Sequence, residues 1–149
     1  MNSSNLAIKR KRKANHHQTL PLTGEGKISH IVKVETQIRD VNALRQACNF
    51  LQLEPPVHST YELYNSTETG WGVHLRDWRY PVVFKVETAE AAFDNYQGRW
   101  GDPQRLDELI QRYAAEKTKI EARRQGYSVT EQRLDDGSVK LSISVGGEN

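Results

Sequence analysis

The sequence predicts an α+β fold: an antiparallel sheet of six to seven strands with two helices on one face, in the order β-α-β-β-β-(β)-α-β-β. Three observations predict it. Apolar residues alternate with period two from Ile28, a capped helical pattern runs from Asp102 to a glycine stop at Gly126, and an Asp136-Gly137 turn joins two alternating runs.

The first alternation places Ile28, His30, Val32, Val34, Thr36 and Ile38 opposite Ser29, Lys33, Glu35 and Gln37, a strand with one buried face. His30 falls on the buried side, where it reads as a hydrogen-bonded core or sheet-end residue. Asp40 is a good N-cap, and Val41, Leu44, Ala47, Cys48 and Leu51 follow at helical spacing. Cys48 lies on that apolar stripe and reads as a small buried hydrophobe. Pro55 and Pro56 end the helical region, because a residue before proline is pushed out of the helical basin.

Short strands follow. Val57 to Tyr64 precedes a polar turn from Asn65 to Gly70, and Trp71, Val73 and Leu75 alternate with Gly72 and His74. Tyr80 to Glu87 alternates less cleanly, with Val82, Phe84 and Val86 inward and Pro81 at its tolerated starting position. Glu90 to Tyr96 reads as a return strand.

The second helix has Asp102 as its cap and Pro103 at its first position, where a missing N–H costs nothing. Leu106, Leu109, Ile110, Tyr113, Ala114, the stem of Lys117 and Ile120 form its apolar stripe. Lys117, Lys119, Glu121, Arg123 and Arg124 interleave their signs and read as a solvated face. Gly126 supplies a left-handed stop. Beyond it Tyr127 to Leu134 and Ser138 to Val145 flank the two-residue Asp-Gly turn, the strongest short-range hairpin signal. Val139, Leu141, Ile143 and Val145 then face inward.

Composition bounds the class. With 149 residues, 36% hydrophobic and 27% charged, the chain supports one core plus a polar tail. No apolar run approaches the roughly 20 residues of a membrane span, and no secretory signal pattern is read at the N-terminus. A single cysteine makes no internal disulfide, which suits a reducing, cytoplasmic setting. Residues 1–27 hold six basic residues against Glu25 alone; a tail of +5 in a chain of +2 leaves 28–149 at −3. The tail lacks apolar periodicity and reads as disordered. Its run Lys9, Arg10, Lys11, Arg12 and Lys13 is either a solvated segment or a weak electrostatic contact for nucleic-acid phosphates or an anionic surface. The domain therefore spans 28–149.

The segment Asp94-Asn95-Tyr96-Gln97-Gly98-Arg99-Trp100-Gly101 is the candidate interaction loop. Tyr, Trp and Arg anchor binding interfaces, and loops on rigid scaffolds carry function. The alternative is that Tyr96 and Trp100 plug the core while the glycines provide turn dihedrals. No phosphate-binding glycine loop, nucleophile elbow or zinc spacing is present in the sequence, so no catalytic residue, metal or cofactor is assigned.

Three stretches carry a family resemblance: Gln111-Arg112-Tyr113-Ala114; Ala122-Arg123-Arg124-Gln125-Gly126-Tyr127-Ser128-Val129-Thr130-Glu131-Gln132; and Asp136-Gly137-Ser138-Val139-Lys140-Leu141. Ser29-His30-Ile31 with Glu35-Thr36-Gln37-Ile38-Arg39-Asp40 agrees at the other end. Together they resemble the hypothetical chloroplast reading frame thirty-five family, a bacterial and plastid domain of unknown function (number twelve fifty-seven). The resemblance spans about 28–145, strongest at both ends and loose from about 54 to 101. It implies a cytoplasmic setting, or the plastid stroma for plastid relatives. It carries no catalytic motif, so it implies no active-site residue. Family members begin Met-Ser-His where this chain has Ile28, so residues 1–27 read as an extension or as the product of an upstream start.

Three classes follow: an adaptor or complex subunit with an unidentified protein partner, a nucleic-acid module using the tail and the aromatic loop, or an enzyme. The first fits the long helix, hairpin edge and aromatic–arginine loop best.

Overall fold

Two antiparallel sheets form where the sequence predicts one, and the second helix joins them. The structure, a computed structural model, describes residues 2–8, as backbone alone, and 31–145. Among these residues the order is β1 (Asn2–Ile8), β2 (Val32–Glu35), α1 (Val41–Phe50), β3 (Val57–Glu62), β4 (Thr67–Val73), β5 (Val82–Lys85), β6 (Glu90–Phe93), a 3-10 turn at Tyr96–Gly98, α2 (Pro103–Arg124), β7 (Ser128–Arg133) and β8 (Val139–Val145). The five-stranded sheet runs β2-β6-β5-β4-β3 and the three-stranded sheet β1-β8-β7. The α+β class and the two helices are as predicted.

The larger sheet turns one apolar face to both helices. Register sets Val32 opposite Phe93, Ala91 opposite Val34 and Phe84, Phe84 opposite Trp71, and Val82 opposite Val73. All of these join Leu44, Ala47, Cys48, Leu106, Leu109 and Tyr113 in one core. The irregular alternation of 80–87 has a cause: Val83 is buried as fully as Val82 and Phe84, so β5 reads as the continuous apolar run of a central strand.

Several boundaries move. The first strand is only Val32–Glu35, because Thr36 leaves the ladder. Its N–H and hydroxyl both donate to the Ala89 carbonyl, at 2.7 and 3.0 Å, and its hydroxyl accepts from the Ile38 N–H at 3.1 Å. The turn predicted over 65–70 is shorter, since β4 already begins at Thr67. Thr60 and Thr69 join hydroxyls across the β3–β4 pair at 2.8 Å, and β-branched residues suit a pleated surface. Gly70 belongs to that strand; a Cβ there would stand 2.7 Å from the Phe84 carbonyl oxygen.

The tail is corrected in part. Residues 1–27 read as disordered, yet Asn2–Ile8 pairs along the whole of β8 from Val145 to Val139. Strand addition at a sheet edge is driven by backbone hydrogen bonds, which any residue except proline supplies, so apolar periodicity is a poor guide to it. Lys9, Arg10, Lys11, Arg12, Lys13 and His30 lie outside the described residues.

Helix α2 has two buried flanks. Leu106, Leu109 and Tyr113 face the main core, while Ala115 meets Val139, Leu141 and Val129 of the hairpin. At 22 residues it is about 33 Å long, enough to serve both sheets. Tyr113 ties it to α1: its hydroxyl accepts from the N–H groups of Arg39 and Asp40 at 3.1 and 3.0 Å. Lys117 adds an ion pair to the N-cap carboxylate of Asp40 at 3.0 Å. Burial works to raise the Asp40 carboxyl, but Lys117 and the capped N–H groups of Ala43 and Asn42 outweigh it and hold it below its usual value. No helix among the described residues is long and apolar enough to cross a membrane.

Candidate interaction surface

The loop between β6 and α2 is held from inside by the two residues that open it. Asp94 and Asn95 are buried, 1% and 5% exposed. The Asp94 carboxylate accepts the Tyr96 N–H at 3.1 Å, and the Asn95 amide donates to the Gly101 carbonyl at 3.1 Å. The Asn95 carbonyl accepts from the N–H groups of both Gly98 and Trp100, at 3.0 and 2.9 Å. These contacts close a tight 3-10 turn through three consecutive left-handed residues, Tyr96 (φ 48°), Gln97 (φ 55°) and Gly98 (φ 96°). Only glycine adopts that region freely; for the other two it costs about 1–2 kcal/mol each. The sequence places Asp94 and Asn95 on the contact surface. Burial removes them from it, and their role is to hold Tyr96, Arg99 and Trp100 in place.

A second anchor lies on the far side of the loop. Gly101 has no side chain because the Trp78 indole occupies the space, where a Cβ would come within 2.4 Å of the ring. The Trp78 indole N–H donates to the Asp102 carbonyl at 2.9 Å, and the Arg79 N–H donates to the Trp100 carbonyl at 2.8 Å. The β4–β5 loop thus grips the chain as it enters α2.

Around Trp100 three loops converge. Tyr64 comes from the β3–β4 turn, Arg79 and Tyr80 from the β4–β5 loop, and Tyr96 and Arg99 from the β6–α2 loop. Ring centroids of Tyr96, Tyr64 and Tyr80 stand 4.7, 5.2 and 5.7 Å from that of Trp100, all tilted or edge-on. The Arg79 guanidinium lies 4.8 Å from the Trp100 ring centre and 5.6 Å from that of Tyr80; Arg99 lies 4.8 Å from that of Tyr96. Arg99 also donates to the Tyr96 hydroxyl at 3.3 Å. Both arginines are exposed, Trp100 is half-buried and Tyr64 is 48% exposed. Trp100 therefore does not plug the core; it forms the centre of an accessible aromatic–guanidinium surface.

Tyr64, Arg79 and Tyr80 were not singled out from the sequence, because their partners lie in other loops. One signal points to Arg79 and Tyr80, because Trp78-Arg79-Tyr80 repeats the Tyr, Arg and Trp content of 96–100; no comparable signal marks Tyr64.

The remaining candidates for chemistry are placed elsewhere. His58 packs edge-on against Trp71 at 5.3 Å and His74 against Tyr61 at 6.3 Å. Burial pushes the Cys48 thiol up to about 11, which leaves it protonated and unreactive near neutrality. No group of three or more His, Cys, Asp or Glu residues that could hold a metal ion occurs among the described residues. No family model, curated protein or solved structure matches this chain.

Proposed function

We propose that this protein is a non-enzymatic docking module, an adaptor or complex subunit, whose partner protein binds the surface built on Tyr64, Arg79, Tyr80, Tyr96, Arg99 and Trp100. We further propose that it belongs to the hypothetical chloroplast reading frame thirty-five family and acts in the cytoplasm, or the plastid stroma in plastid relatives. One observation carries the docking reading: three loops separated in sequence bring aromatic rings and guanidinium groups together around Trp100, over a turn with strained residues. Residues held in unfavourable dihedrals cluster at functional sites, and Trp, Tyr and Arg supply most interface hot spots.

The test is affinity capture from the native source with the wild-type chain and with Arg99→Ala and Trp100→Ala. A partner recovered by the wild type and lost by both variants is the expected result. Equal recovery by all three rules the surface out. The competing reading, nucleic-acid binding through Lys9–Lys13 and stacked rings, is weakened by the net charge of −3 over 28–149. A salt-dependent affinity for oligonucleotide that disappears on deleting residues 1–27 would favour it.

A further inference from the structure

We infer that the segment received by this surface is an acidic peptide of the partner protein, with carboxylates bound by Arg79 and Arg99; the inference rests on the docking reading above. Each guanidinium lies over a ring, Arg79 over Trp100 and Arg99 over Tyr96. Stacking uses the flat face of the group and leaves its edge N–H donors directed away from the ring, in the fork geometry that matches a carboxylate. Arg99 spends one such donor on the Tyr96 hydroxyl.

What those donors lack is an acid. Among the described residues Arg79 and Arg99 form no ion pair, a condition they share with Arg39, Arg45, Arg76, Arg123 and Arg133; what sets these two apart is an exposed guanidinium with an aromatic ring beneath it. The two carboxylates flanking the loop are engaged with backbone: Asp94 accepts from Tyr96, and Asp102 caps α2 by accepting from Gln104 at 3.0 Å. Two fixed positive charges therefore stand on an exposed surface of an otherwise acidic body.

The same geometry excludes the obvious alternatives. A cationic ligand seeking the ring faces finds the guanidinium positions over Trp100 and Tyr96 already filled from within the chain. A nucleic acid presents a long row of phosphates, and beyond the two arginines it meets a body of net charge −3. A short peptide with one or two carboxylates needs only the local pair, because charges beyond about 8 Å are largely screened at physiological salt.

Panning a randomised dodecapeptide library against the full-length chain, with the Arg79→Ala/Arg99→Ala double variant and Trp100→Ala as counter-targets, tests this. The expected result is enrichment of Asp and Glu among wild-type binders. The best of them should lose about tenfold or more in affinity on the double variant, the size of a charge-assisted hydrogen bond. Exchanging their Asp and Glu for Asn and Gln should cause a similar loss. Binders without acidic bias that still require Trp100 overturn the inference and leave the docking reading standing. Binders indifferent to Trp100 and both arginines, or no enrichment over the variants, overturn both. A random single-stranded oligonucleotide that competes with the selected peptides at equal or lower concentration overturns the choice of a peptide. Because both arginines are exposed, unchanged thermal melting of the double variant confirms that any loss arises at the surface.

Discussion

Two guanidinium–aromatic centres lie along the same stretch of chain, one just before α2 and one in its middle, and they are completed in opposite ways. At Trp100 the arginines are exposed and stack on rings without a carboxylate. At the middle of the helix Arg112 is buried beneath the Phe50 ring, 3.6 Å from its centre and only 4% exposed. It donates to both carboxylate oxygens of Glu131 on β7, at 2.5 and 2.7 Å, and to Glu116 one turn along the helix. Lys119 closes the ring of charges, 3.3 Å from Glu116 and 3.1 Å from Glu131. Burial opposes the charge on Arg112, but the two carboxylates outweigh it and raise its pKa. The same residue types give a lock when the guanidinium is gripped by two carboxylates of its own chain, and a recognition surface when the acids are left for a partner to bring.

The comparison breaks most directly at Arg112. Arg112→Ala leaves Glu116 and Glu131 facing one another, and a loss of about 3–5 kcal/mol in urea unfolding is expected. A loss below about 1 kcal/mol would mean that the network does not hold the hairpin to the helix. Acid attacks the same lock. Hydrogen bonding from Arg112, against the opposing effect of burial and with help from Lys119, lowers the Glu131 carboxyl from 4.5 to about 2. A depressed carboxylate contributes stability that is complete above its unfolded pKa and is lost as pH falls toward the folded one. The gap in melting temperature between wild type and Glu131→Gln should therefore be full above pH 4.5 and shrink steadily between 4.5 and about 2. A gap independent of pH in that window would contradict the pairing.

The loop end answers to packing instead of charge. Gly101→Ala drives a Cβ into the Trp78 indole and should cost about 1–3 kcal/mol, with loss of the indole bond to Asp102 visible as a shift in Trp fluorescence. Asp102→Ala removes the N-cap of α2, for about 1 kcal/mol in thermal or chemical melting. Arg79→Ala should change stability by less than about 0.5 kcal/mol, since its side chain is exposed and, among the described residues, stacks on Trp100 and Tyr80 without an ion pair. A large destabilisation there would erase the distinction between the two centres and make the Trp100 cluster a structural one.

The helix–hairpin unit was legible because its signals are local. Asp102, Pro103, Gly126 and Asp136-Gly137 act within a few residues of themselves, and the observed α2, β7 and β8 lie where those signals place them. The polar flank of α2 shows the complementary case. Lys117, Lys119, Glu121, Arg123 and Arg124, read as a solvated face, lie half-buried or exposed, whereas Arg112 and Glu116, which no local signal marks, are buried where Glu131 of β7 and Phe50 of α1 close over Arg112. The candidate surface divides in the same manner. Tyr96, Arg99 and Trp100 announced themselves by composition, whereas Tyr64, Arg79 and Tyr80 reach Trp100 only because two other loops end beside it.

By itself the sequence determined the α+β class, the caps of both helices and the stop of the second, the Asp-Gly hairpin and the loop that carries the aromatic residues. Each of these depends on dihedral preferences and hydrogen bonds between near neighbours. The first helix ends at Phe50, before the prolines, where Gln52 turns left-handed. The tertiary structure alone decided that the strands separate into two sheets, that Asn2–Ile8 joins one of them, and that Asp94 and Asn95 turn inward. It also decided which arginines meet an acid and which do not. Those outcomes depend on groups distant in the chain that compete for the same partners, and the fold settles that competition by proximity.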